Sequence, residues 1–236
     1  MEFKVDKNPY DRQLFEKEVI ELNPNTITCL VGCNGTGKTT IIEYIKRDLA
    51  HRNAEECKNS VYPKLEDDIR KAVGKEKPKN EENLFYVDFS KHTRNAKSEL
   101  DAFLVDAGVA FSSTGEGLSY RLGKTLEVLG RTVTKLTDKK ATLFIFFDDC
   151  DAGTSLDKIV EIKDVMYMVA DHCKQCGITY YIILTANSYE MCRGLDCISV
   201  HNFEHIEFND YGGYEAYKEF VLKSAKIKEK SFEEAE

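Results

Sequence analysis

The chain has 236 residues, 42% hydrophobic and 31% charged, enough to bury one large core with room for a small subdomain. Its net charge of −8 argues against sequence-independent nucleic-acid binding by the whole surface, and no apolar run reaches the roughly 18 residues of a membrane span. The opening Met1-Glu2-Phe3-Lys4-Val5-Asp6 does not read as a signal peptide, so the eight cysteines are expected to be reduced thiols of a cytoplasmic protein.

The first strong signal in chain order is the β-branched run Thr26-Ile27-Thr28-Cys29-Leu30-Val31, a predicted strand. Gly32-Cys33-Asn34-Gly35-Thr36-Gly37-Lys38-Thr39-Thr40 follows and fills the pattern G-x-x-x-x-G-K-[ST]. Next comes a predicted helix over 40–49, with Ile41, Ile42, Ile45 and Leu49 on one face. Strand, glycine loop and helix are the context this motif needs. The glycines let the loop curl until successive N–H groups face phosphate oxygens, and the helix N-terminus adds the positive end of its dipole. Lys38 is expected to reach the β- and γ-phosphates of ATP, and the Thr39 hydroxyl to sit on Mg²⁺. A tight glycine turn alone gives no reason for Lys38-Thr39 at its end.

Composition shifts over about residues 50–83, a polar connection or small lid with one short helix over 63–73 and a charged, turn-rich stretch over 74–82. Leu84-Phe85-Tyr86-Val87 reads as a strand and 91–109 as helical. Phe111-Ser112-Ser113-Thr114-Gly115-Glu116-Gly117 then opens a helix carrying Leu118, Leu122, Leu126, Leu129, Val133 and Leu136 in an unbroken apolar stripe. Arg121, Lys124, Arg131, Lys135, Lys139 and Lys140 lie along and after it; with Glu127 and Asp138 interspersed they read as a solvated face, with DNA contact the less favoured reading.

Thr142-Leu143-Phe144-Ile145-Phe146-Phe147 is a predicted strand buried on both faces, as in the middle of a parallel sheet. It ends in Asp148-Asp149, at the carboxyl end where ligands bind in open α/β sheets, and Asp148 is expected to hold Mg²⁺ through water. Cys173 and Cys176 have metal-ligand spacing, but without a second pair they read as a helix end before Gly177. Cys29 and Cys150 read as small hydrophobes of the core. A further buried strand, Ile178 to Leu184, leads into Thr185-Ala186-Asn187; edge strands over 195–200 and 205–208 and a closing helix over 214–223 complete the chain. Tyr10 and Phe15 are the upstream aromatics near the glycine loop, as readily packing residues as adenine contacts.

In this order the motifs resemble the ATP-binding-cassette (ABC) ATPases. Gly32 to Thr40 looks like their phosphate-loop variant G-x-N-G-x-G-K-T-T, and Glu21 to Ile27 like their strand–turn–strand entry. Ser113-Thr114-Gly115-Glu116 matches the signature S-G-G-Q/E with threonine for one glycine. Asp148 to Ser155 resembles the D-E-P-(D/E)-x-G-L-S run of soluble bacterial and phage members related to RecF, SMC heads and the overcoming-lysogenization-defect proteins. The resemblance implies one P-loop NTPase domain over 1–236. It would be α/β, with a mostly parallel central sheet flanked by helices, antiparallel edge strands and a helical signature subdomain over about 91–140. It implies a head-to-tail homodimer in which Ser113, Gly115 and Glu116 meet the ATP of the other subunit, with Asp151 to Ser155 at the interface. It also implies a protein effector.

The departures bear on turnover. The family's water-polarising Glu is Asp149 here, one methylene shorter, and catalytic geometry is sensitive at that scale. The γ-phosphate-sensing His is replaced by Ala186, leaving Asn187 as the nearest polar group, a hydrogen-bond donor without charge. The Gln expected after the 84–87 strand is missing, with Asp88 and Ser90 nearest. Three functions remain: an ATPase that drives a partner in DNA repair or defence, a nucleotide-gated switch with little turnover, and, least supported, a transporter subunit.

Overall fold

The structure is a computed structural model and describes residues 1–9, 12–52, 84–88, 126–127, 129–137, 141–151, 155–209 and 212–233. Its centre is a six-stranded sheet of β3 (Thr26–Val31), β4 (Leu84–Asp88), β5 (Thr142–Phe147), β6 (Thr179–Thr185), β7 (Asp196–Ser199) and β8 (His205–Ile206). They stand in the order β4-β5-β6-β3-β7-β8. The pairs from β4 through β7 are parallel, and β8 closes one edge antiparallel to β7. An antiparallel pair, β1 (Glu2–Lys4) and β2 (Val19–Glu21), forms a separate small sheet.

The continuous apolar runs find their reason in two packed faces. Alternate residues of each strand enter opposite cores. Cys29 and Val31 of β3, Leu143, Ile145 and Phe147 of β5, and Tyr180, Ile182 and Leu184 of β6 join one cluster. It is covered by α2 (Leu156–Gln175), by α3 (Tyr189–Cys192), by helical residues 129–136, and by Tyr217 of α4 (Gly213–Glu233). Leu30, Phe144, Phe146, Tyr181 and Ile183 point the other way, under α1 (Lys38–Arg52) and the β1–β2 pair. There Phe144 stacks on Tyr181, centroids 4.6 Å apart, and meets Phe3 of β1 edge-on.

The expected helix over 40–49 is α1, longer by two residues at its start and three at its end, with Ile41, Ile42, Ile45 and Leu49 all buried as the pattern required. The closing helix runs ten residues past the expected Lys223 to Glu233, because Ser224 and Lys228 pack on the glycine loop rather than on an apolar face. The later strands are shorter than the expected 195–200 and 205–208, spanning Asp196–Ser199 and His205–Ile206. β7 is also an inner strand, paired with β3 on one side and β8 on the other. Cys176 is the C-cap of α2 before Gly177, the helix end expected there. The connection over 53–83, the predicted helix over 91–109, Ser90 and the signature loop with Ser113, Gly115 and Glu116 lie outside the described residues. Of the signature helix's apolar stripe, Leu126, Leu129, Val133 and Leu136 are described; the last three are buried and Leu126 is half-buried against the same core.

Candidate functional site

Gly32 to Gly37 form the turn between β3 and α1, and Lys38, Thr39 and Thr40 begin the helix. The loop is closely packed at two glycines. A Cβ on Gly32 would stand 2.6 Å from the Thr36 hydroxyl and 2.7 Å from Val200, and one on Gly37, at φ +94°, would stand 2.9 Å from the Phe15 ring. Phe15 is therefore a packing residue beneath the loop, fully buried and tilted against Phe203; Tyr10 lies outside the described residues. Thr36 Oγ1 donates to the Cys33 carbonyl at 2.8 Å and holds the curl.

Lys38 is buried, and its ammonium donates to the Gly32 carbonyl at 2.9 Å and the Cys33 carbonyl at 3.1 Å. Burial lowers its pKa from the usual lysine value, against the opposing pull of Cys33, Asp151 and Asp149. An anion entering the loop offers that ammonium the counter-charge it lacks.

The acidic half of the site comes from β5 and β6. Asp148, at the carboxyl end of β5, is 2% exposed and spends both oxygens on hydroxyls: Thr39 Oγ1 donates to Oδ2 at 2.8 Å, and Thr185 Oγ1 to Oδ1 at 2.5 Å. The Thr185 oxygen also accepts the Asp149 N–H at 2.7 Å. Asn187 Nδ2 donates to Asp149 Oδ1 at 2.8 Å, so the residue standing nearest the missing histidine holds the shortened acid directly. The backbone N–H groups of Asn187 and Ser188 both bond Asp151 Oδ2, at 2.8 and 2.6 Å. Asp151 is thus buried as an anchor, while Ser155 and Leu156, just beyond, are exposed. Residues 152–154 of that expected interface loop lie outside the described set.

Because β6 is inserted between β3 and β5, Thr185 stands between the glycine loop and the acids and bonds the latter. Its threonine was visible in the sequence; its position between the two motifs is a property of strand order.

Two contributors from α4 were not placed at the site by sequence. Ser224 of α4 accepts the Cys33 N–H at 3.1 Å, and Lys228 donates to the Asn34 carbonyl at 2.9 Å. Farther along, Arg12 lies over the Phe232 ring at 4.4 Å. An open cavity of about 420 Å³ is lined by Asn34, Gly35, Gly37 to Thr40, Asp148, Asp149, Thr185 and Asn187, with Pro9, Arg12, Leu14 and Phe232 completing its wall. The cavity has the size of a small-molecule site.

A phosphate-cradling loop facing acids across a parallel sheet defines a P-loop NTPase of the α/β class. The chain belongs to the AAA domain family, whose model matches residues 12–235, and is a P-loop ATPase domain. No curated protein matches the sequence. No helix among the described residues is long and apolar enough to cross a membrane.

Proposed function

We propose that the chain is an ABC-class ATPase that binds Mg-ATP, dimerises head-to-tail, and hydrolyses ATP to drive or gate a protein partner in DNA repair or in bacterial or phage defence. The observation that carries the reading is the hydroxyl–carboxylate network from Thr39 through Asp148 and Thr185 to Asp149. It joins the phosphate loop to the acids that hydrolysis needs. The donor set fits Mg²⁺: the Thr39 hydroxyl and the Asp148 carboxylate are hard oxygen ligands, to be completed by phosphate and water. The ion would neutralise charge on the β- and γ-phosphates. In this reading the N–H groups of 32–40 cradle the phosphates, Lys38 turns from the loop carbonyls to the β- and γ-oxygens, and Asp149 orients the attacking water.

For the assembly, support comes from α2, where Leu156 and Val160 stand one turn apart at 60% and 48% exposure directly after the acidic loop. By the resemblance, Ser113, Gly115 and Glu116 of one subunit would close on the γ-phosphate held by the other.

The second reading, a nucleotide-gated switch that barely turns over, draws on the short side chain of Asp149, one oxygen of which is engaged by Asn187. Calorimetry and steady-state phosphate release separate the possibilities. Wild type is expected to bind ATP with Mg²⁺, and Lys38→Ala to bind about 30-fold more weakly through loss of charge-assisted bonds. Equal affinity for the two would place the site elsewhere. Binding without phosphate release would select the switch.

A further inference from the structure

Away from the cavity, three thiols from three separate elements converge in the core: Cys29 in β3, Cys192 at the end of α3 and Cys197 in β7. All three are free and fully buried. Their Sγ atoms lie within 4.8 Å of one another, with Cys29 and Cys192 3.7 Å apart. Cys29 and Cys197 are register partners on adjacent parallel strands, so both side chains leave the same face of the sheet, and α3 lays Cys192 over them. Packing alone makes no demand that three sulfurs meet at one point. A soft metal ion does.

The geometry selects among such ions. Sulfurs bound at about 2.3 Å to one ion stand about 4 Å apart, a separation compatible with 3.7 Å between Cys29 and Cys192 and no more than 4.8 Å within the group. Zinc in a structural site takes four ligands. Among the described residues no imidazole or carboxylate joins the group, which offers three thiols and no fourth side chain. A buried, three-coordinate, all-sulfur ligand set suits the soft monovalent ion Cu(I). Lys163 brings positive charge to its border, donating to the Glu190 and Arg193 carbonyls at 3.0 and 2.7 Å on either side of Cys192.

We propose that Cys29, Cys192 and Cys197 form a trigonal Cu(I) site behind the phosphate loop. Coordination exchanges thiol protons, released to solvent, for one metal ion, with no change of oxidation state. The test uses the full chain, reduced and kept anaerobic, loaded with Cu(I) and challenged with a chromogenic Cu(I) chelator. Wild type is expected to retain one copper per chain, with X-ray absorption showing three sulfur neighbours at about 2.3 Å. Cys197→Ala should lose the copper. Cys173→Ala, which removes a buried thiol outside the cluster, should keep it. Failure of wild type to hold copper against the chelator, equal retention by Cys197→Ala, or Zn(II) displacing copper at equal concentration would overturn the site. The wild-type absorption spectrum decides the matter without any variant: fewer than three sulfurs on the copper would exclude it.

Discussion

Asp149 occupies a left-handed backbone conformation, φ 51°, that aspartate and asparagine tolerate better than longer side chains. Its carboxylate is tied at one oxygen to Asn187, and its N–H to Thr185. Asp149→Asn preserves both the backbone preference and an amide oxygen able to accept from Asn187, so it removes charge and little else. Phosphate release by that variant should fall to background while ATP binding persists. Asp149→Glu should preserve or raise the rate by adding reach; equal rates in all three would remove Asp149 from the water-polarising role. Thr185→Val deletes one hydroxyl that donates to Asp148 and accepts from Asp149, leaving two polar groups short of a partner. A loss of about 2 kcal/mol in urea unfolding is expected. Lys38 supplies a pH signature. Its pKa is lowered in the free protein by burial, and a bound triphosphate must raise it, so the complex carries more protons. Affinity should therefore fall as pH rises through the alkaline range, and calorimetry in buffers of different ionisation enthalpy should detect proton uptake there.

Among the elements, α4 is the one whose role the sequence concealed. Its Ser224 and Lys228 bond the backbone of Cys33 and Asn34 across a separation of 191 and 194 residues. Periodicity marks the face a helix buries in apolar contact, and this stretch of α4 docks through a hydroxyl and an ammonium instead. The double variant Ser224→Ala/Lys228→Met should loosen the loop and weaken ATP binding by about 1 kcal/mol, roughly fivefold, in the same calorimetry. The strands were legible for the opposite reason. β3, β5 and β6 are packed on both faces, so their apolar runs are uninterrupted, and a glycine motif with fixed spacing marks where the first ends. The boundaries of β7 and β8 were not legible because short strands give a period of two too few residues to declare itself. Nor does any local pattern encode that β6 lies between β3 and β5, the arrangement that sets Thr185 against Asp148.

For the whole molecule, the proposed assembly makes its own prediction. If ATP bridges the loop of one subunit and Ser113 of another, the γ-phosphate supplies the differential contact, so ATP and not ADP should favour the dimer. Light scattering of Asp149→Asn with ATP is expected to report a dimer at tens of micromolar protein. Ser113→Arg, placing a bulky cation at the shared phosphate, should return it to monomer without loss of ATP binding. A monomer in the first case, or a dimer indifferent to Ser113→Arg, would reject the model.

The strand order has a consequence for the newly made chain. β3 leaves the ribosome long before its neighbours in the sheet, β6 and β7, so the strand that carries the phosphate loop has no partner until β6 has been synthesised through Thr185. Pairings so distant along the sequence form late and slowly. Translation that stops after α2 yields a fragment with an intact glycine motif and no nucleotide site, its apolar β3 and β5 lacking the strand that separates them. Such a fragment is prey for chaperones and proteases, and ATP cannot rescue it. The ability to hold ATP thus arrives only after β6 has been made, as a report that the sheet has closed.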